Sequence, residues 1–354
     1  MDMNAFVTRC LCAVSICGLV LAATPVAHAA SFNLTKGSPT GMSGVSPFAT
    51  PVDTTTDLVF HSAGEAGGWV MSTCATGSQC TSLSLPQEFG TDYTQVTLMD
   101  GTQRAYFVIV DADGTKEIAT APVTFTNGVP TLGTTSRLGI QASAGQRAWG
   151  VPDSIVTPEG LVRLYWVDNP GEGSGNFQPT GAQRKCLATA LGRKGAEQLA
   201  SGKKLTPAKA KEAAKAAKKC KIPASALGAR GSRSTESIVS ATSTDTKGTS
   251  FVPDAGYRIT GGYVDSDIIQ AKSGDWLMLL STGPGEPPQR LFIATSRDGL
   301  AWKVKRKPLT PSSFNALDPV AVQTGPKQWR VYYAKSPKKT PFANHQIVVS
   351  TLTR

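Results

Sequence analysis

Residues 265–302 read DSDIIQAKSGDWLMLLSTGPGEPPQRLFIATSRDGLAW. The stretch falls into four short pieces. Asp267–Ala271 is apolar after an acidic start, and Lys272–Asp275 is a turn. Trp276–Ser281 and Gln289–Thr295 are further apolar runs, and Ser296–Trp302 is a tight turn leading into a fourth. Runs of this length, broken by Gly, Pro and Asp, predict one four-stranded antiparallel meander.

Echoes of the unit recur along the chain. One begins near Asp57, with strands over Leu58–His61 and Trp69–Thr73. A second covers roughly 93–133, and a third starts at Val151-Pro-Asp153. The stretch above is the fourth, and Leu317-Asp318-Pro319 opens a fifth. Their second strands align as Arg104-Ala-Tyr-Phe, Arg163-Leu-Tyr-Trp and Arg330-Val-Tyr-Tyr, with Trp276-Leu-Met-Leu in the same slot. Four-stranded units repeated about five times predict an all-β, five-bladed β-propeller over 55–354. Residues 30–54, small and polar, read as an extended lead-in that pairs in part with the last strand.

The first 29 residues read as a signal peptide: Arg9, then an apolar run from Leu11 to Ala23, then Ala27-His28-Ala29 as the cleavage site. The protein is therefore expected to be secreted, bacterial and extracellular, with no membrane span in the mature chain. Cys74, Cys80, Cys186 and Cys220 follow that leader, and an even number in an oxidising compartment predicts disulfides. Nearness in sequence favours Cys74–Cys80 and Cys186–Cys220 among the three pairings. With only His61 and His345 beyond the leader, neither a metal site nor a cofactor is expected.

The chain carries a formal net charge of +11. Residues 182–233 hold 14 Lys or Arg against Glu197 and Glu212, and the rest is nearly balanced. The basicity thus belongs to an insertion at 178–234, inside the third unit. Gln183–Ala200 and Pro207–Lys219 read as two helices, with Thr206 as N-cap and Pro207 at the first helical position. A Cys186–Cys220 bridge would staple them into a basic hairpin. Such a knob is either a solvated face or a contact for an acidic polysaccharide or cell-wall polymer. No nucleic-acid partner is expected, because no aromatic side chains are interleaved for base stacking.

Ser296-Arg-Asp298-Gly299-Leu-Ala-Trp302 resembles the Asp-box turn of sialidases and related propellers. Ser243–Phe251 is a looser version, its glycine spaced differently and Phe251 in place of Trp. The Asp318-Pro319 lead and later aromatic pair are similar to arabinanase-like five-bladed glycoside hydrolases. In such turns Asp and Ser side chains tie the backbone, so Ser296, Asp298, Gly299 and Trp302 are expected to be structural and to face away from substrate.

That resemblance places function on the opposite rim, at the starts of the inner strands. Asp57, Asp153, Asp267 and Asp318 are the expected catalytic carboxyls, since glycoside hydrolysis needs one protonated and one ionised carboxyl. The alternative for each is an aspartate that caps a backbone turn. Tyr257, Arg258, Tyr263 and Asp265, on the link into the fourth unit, are the expected sugar-binding residues. A carbohydrate-active protein follows, either a hydrolase or a non-catalytic propeller that binds glycans.

Overall fold

In a computed structural model, the structure describes residues 31–354 apart from 64–67, 77–78, 86–89, 111–115, 141–149, 169–184, 187–188, 192–211, 213–214, 217–218, 221–235, 272–273, 284–287 and 341–342. The residues expected to form a signal peptide and most of the basic insertion lie outside the described residues. Phe32–Arg354 forms one compact unit.

The strands run in order as β1 (Asn33–Leu34), β2 (Ser38–Ser43), β3 (Val45–Pro51), β4 (Thr56–Ser62), β5 (Trp69–Ala75) and β6 (Thr81–Ser84). Next come β7 (Thr91–Thr97), β8 (Gln103–Val110), β9 (Lys116–Thr126), β10 (Val129–Leu132) and β11 (Ser136–Arg137). The third group is β12 (Gly150–Val156), β13 (Val162–Asp168), β14 (Ser237–Ser243), β15 (Phe251–Pro253) and β16 (Ile259–Thr260). The last two groups are β17 (Tyr263–Gln270), β18 (Trp276–Thr282), β19 (Leu291–Ser296), β20 (Lys303–Val304), and β21 (Phe314–Gly325), β22 (Gln328–Pro337), β23 (Gln346–Thr353).

Five antiparallel sheets result, each led by one of the inner strands β3, β7, β12, β17 and β21. The fifth blade is completed by the start of the chain: Asn33 pairs with Thr353 and Ser38 with Val349. This closes the ring as a five-bladed propeller, and the lead-in does pair with the last strand. The first blade, however, begins earlier than the repeat rhythm predicts. Its inner strand is Val45–Pro51, and Leu58–His61 belongs to the second strand. The polar, Pro-containing sequence VSPFATP hides that strand because Phe48 and its neighbours alternate only weakly.

Packing between blades explains the repeated Arg-x-Tyr of the second strands. The hydroxyl of Tyr106 donates to the carbonyl of Gly248 at 2.9 Å, and that of Tyr165 to the carbonyl of Gly299 at 2.7 Å. Each tyrosine thus caps the third-to-fourth-strand turn of the following blade. Arg163 adds a bond to the Asp298 carbonyl at 3.0 Å. Apolar side chains fill the gaps between blades, as where Tyr106, Leu164 and Trp166 share one buried cluster.

The turn at 296–302 is held as its residues predict. Asp298 Oδ1 accepts from the backbone N–H groups of Leu300 and Ala301 at 2.8 and 2.9 Å, and Ser296 Oγ accepts from Gly299 N at 3.0 Å. Trp302 Nε1 donates to the Gly299 carbonyl at 2.9 Å. Gly299 sits at φ 71°, where its missing Cβ admits Trp276 and Tyr165.

The Cys74–Cys80 and Cys186–Cys220 disulfides are both formed. The insertion leaves β13 at Asp168 and rejoins the sheet at Ser237, so it occupies a second-to-third-strand loop. Of the two expected helices, only fragments around Lys185–Cys186, 189–191, Glu212, 215–216 and Lys219 are described as helical; the hairpin as a whole lies outside the described residues.

Candidate active site

Each inner strand carries the same irregularity at its start. Pairing with the second strand skips between Val45 and Phe48, Thr91 and Thr94, Gly150 and Asp153, Val264 and Asp267, and Leu317 and Val320. The residue that begins each bulge has a left-handed backbone: Ser46 (φ 51°), Asp92 (53°), Val151 (53°), Asp265 (53°) and Asp318 (50°). Among L residues, Asp tolerates this region far better than a β-branched side chain does. That accounts for Asp at three of the five positions and makes Val151 the strained one.

The five bulges line one opening. Its wall includes Phe48, Tyr93, Asp92, Asp153, Asp265, Ser266, Asp267 and Asp318, around a small space that is open to solvent. Among the described residues no Lys, Arg or His belongs to that wall. The carboxyls form two tiers of clasps between successive blades. In the upper tier, Asp318 Oδ2 accepts from Ser46 N at 2.9 Å, Asp92 Oδ2 from Val151 N at 3.4 Å and Asp265 Oδ2 from Asp318 N at 3.4 Å. In the lower tier, Asp153 Oδ2 accepts from Ile268 N at 2.5 Å and Asp267 Oδ2 from Ala321 N at 3.0 Å. The Asp265 and Asp318 side chains also share a hydrogen bond, and Ser281 Oγ donates to Asp265 Oδ2.

Burial sets the electrostatics. It pushes the carboxyls of Asp153 and Asp265 up to about 6 against the hydrogen bonds they accept. Burial, reinforced by the charge of Asp153, holds Asp267 well above the ordinary carboxylate range. Burial and the nearby Asp265 do the same for Asp318. Asp92 is raised by burial too, and Lys116 opposes the shift. Near neutral pH the opening therefore holds protonated and ionised carboxyls side by side, as acid–base chemistry on one substrate requires. Among the described residues, no group of three or more His, Cys, Asp or Glu is placed to hold a metal ion.

Of the sequence-predicted residues, Asp153, Asp265, Asp267 and Asp318 meet at this opening. Asp57 does not: it lies in β4, fully buried, and receives Arg330 through both carboxylate oxygens at 2.6 and 2.7 Å and Tyr332 Oη at 2.8 Å. It locks the last blade to the first, a position misread because the first inner strand was placed one strand late. Tyr257, Arg258 and Tyr263 are also absent from the wall. Tyr257 is 49% exposed, Arg258 spends its guanidinium on the carbonyls of Ala255, Gly256 and Leu300, and Tyr263 stands edge-on to Phe292.

Sequence reasoning missed Asp92, although a signal exists. Arg104, Arg163 and Arg330 pair with Val96, Ile155 and Val322. The left-handed residue lies four positions before each partner, at Asp92, Val151 and Asp318.

No protein-family model matches the sequence, and no curated protein matches it. Solved structures do match in shape. A thermostable family-43 glycoside hydrolase superposes with a TM-score of 0.54 at 11% identity, over 90% of this chain and 92% of that one. The endo-arabinase from Bacteroides thetaiotaomicron gives 0.54 at 11% identity, over 91% and 97%. An endo-1,4-beta-xylanase from the same organism gives 0.54 at 8% identity, over 89% and 92%. Likeness at such low identity establishes the five-bladed fold, one that these carbohydrate-active enzymes share.

Proposed function

We propose that the protein is a secreted, carbohydrate-active propeller that hydrolyses glycosidic bonds at the central opening. One observation carries this reading: four of the five inner strands bring Asp92, Asp153, Asp265, Asp267 and Asp318 to one solvent-open space. Asp267 and Asp318, held protonated by burial and by their neighbours, suit the general acid. Asp153 and Asp265, ionising near 6, suit the base or nucleophile. Phe48, with the buried Tyr93 ring edge-on behind it, gives a sugar ring an apolar surface to rest on.

The basic insertion leaves and rejoins its blade at Asp168 and Ser237, next to the Gly150–Val167 pair at the start of β12. In this reading its charge binds an acidic polysaccharide or wall polymer apart from the opening. The leader and two disulfides support an extracellular setting, and among the described residues no helix is long and apolar enough to cross a membrane.

The test is a panel of arabinan, xylan, galactan and amino-sugar oligosaccharides, scored for both binding and released reducing ends. Turnover that is lost in Asp318→Asn and Asp267→Asn, with binding retained, is expected. Binding without turnover by the wild type would replace this reading with a non-catalytic glycan receptor. The clasps would then be the sole purpose of the carboxyls.

A further inference from the structure

The charge of the opening points to its ligand more narrowly than its shape does. Among the described residues its wall presents five carboxyls and no Lys, Arg or His. Lys116 acts on Asp92 from beside Gly150, and the other four carboxyls face one another. Between Asp265 and Asp267 lies Ser266, 6% exposed, whose Oγ has no hydrogen-bond partner. A buried hydroxyl without a partner is costly unless a ligand or water completes it. The carboxyls of Asp265, Asp267 and Asp318 supply further acceptors nearby, and Phe48 offers a ring face.

A set of acceptors of this kind, opposed only by hydroxyl and backbone donors and by Lys116 at Asp92, fits a group that donates several hydrogen bonds and carries positive charge. A metal ion is the poorer match, since among the described residues no group of three acids, His or Cys is placed for one. An ammonium on a sugar has three N–H donors and tolerates the wider spacing. An aromatic face beside it adds attraction.

We propose that the opening recognises an amino sugar bearing a free, protonated amine, seated between Ser266 and the carboxyls of Asp265, Asp267 and Asp318. This rests on the reading of the opening as a sugar site and names the class of sugar it takes. It also separates the opening from the basic insertion, whose charge repels the same ligand.

Binding carries a proton signature. An ammonium placed among carboxyls whose affinity for protons is raised drives some of them to ionise, so protons leave the protein on binding. The neutral N-acetylated sugar of the same length displaces none.

The test is calorimetry at pH 6 with glucosamine oligosaccharides against their N-acetylated counterparts, in two buffers of different ionisation enthalpy. The free-amine series is expected to bind at least about tenfold more tightly, the scale of one charge-assisted hydrogen bond. It is also expected to release protons, and Ser266→Ala to weaken it about threefold. Asp265→Asn is expected to bring the two series within about threefold of each other. Should that variant fail to fold, proton release by the wild-type protein decides the matter. Equal binding of both series without proton release overturns this inference and leaves a neutral-sugar hydrolase standing. If neither series nor any other glycan binds, both readings fall.

Discussion

Replacing Asp57 by Ala removes the contact that locks the fifth blade to the first. The carboxylate is fully buried and receives two Arg330 nitrogens and the Tyr332 hydroxyl, all within 2.8 Å. Breaking a buried, hydrogen-bonded ion pair from one side costs about 3–5 kcal/mol, because the remaining charge is stranded. Arg330 is 12% exposed on its side chain and keeps a bond to the Thr54 carbonyl at 2.9 Å, so partial rehydration places the loss near the lower end. The expected destabilisation is therefore about 3 kcal/mol, read as a shift in the urea midpoint followed by tryptophan fluorescence. Pairing Asp57→Ala with Arg330→Ala should recover about 1–2 kcal/mol of that loss as coupling. A loss below about 1 kcal/mol would refute the claim that this pair closes the ring. Glycan turnover per folded molecule is expected to survive, since Asp57 lies outside the opening.

Further outcomes follow from the same contacts. Asp153 and Asp265 titrate near 6 in the folded protein, above their ordinary value of 3.8. Their contribution to stability is complete below that ordinary value and lost as pH rises through the folded one. Urea midpoints should thus fall between about pH 4 and pH 7, by an amount on the order of 1–3 kcal/mol. A midpoint that rises through this window contradicts the burial of the ring. Asp298→Ala strips the acceptor of two backbone N–H groups and should cost about 1–2 kcal/mol without altering sugar binding. Removing Cys74 and Cys80 together should cost about 2–3 kcal/mol in the oxidised protein, as expected for a short closed loop.

The fold was largely legible in the sequence because its turns and second strands repeat. In two of the three Arg-x-Tyr copies the tyrosine caps the next blade's turn, and in the third Tyr332 reaches Asp57 of the first blade, so the periodicity has a mechanical origin in blade-to-blade contact. The 296–302 turn was readable because its Asp and Ser side chains bond locally, to the turn's own backbone and to each other. The opening was harder to read, since it depends on contacts far apart in sequence. Asp57 and Asp318 both precede apolar runs, yet one faces Arg330 and the other the axis. What separates them is which strand of its blade each occupies, and β3 is too polar to count as a strand on pattern alone. Asp92 was hidden by its neighbours, because Thr91-Asp92-Tyr93-Thr94 reads as turn chemistry until the left-handed bulge is seen in all five blades. Tyr257 and Arg258 illustrate the opposite error. Their residue types suit sugar binding, but Arg258 is consumed by backbone carbonyls.

The most direct test of the account is the position of a bound sugar, from a crystal structure of the protein with a saturating amino-sugar oligosaccharide. One ring is predicted between Phe48 and the pair Asp265 and Asp318, with its amine within hydrogen-bond distance of Ser266 Oγ. Density for the sugar on the outer blades or on the insertion, with the opening filled by water alone, would contradict it.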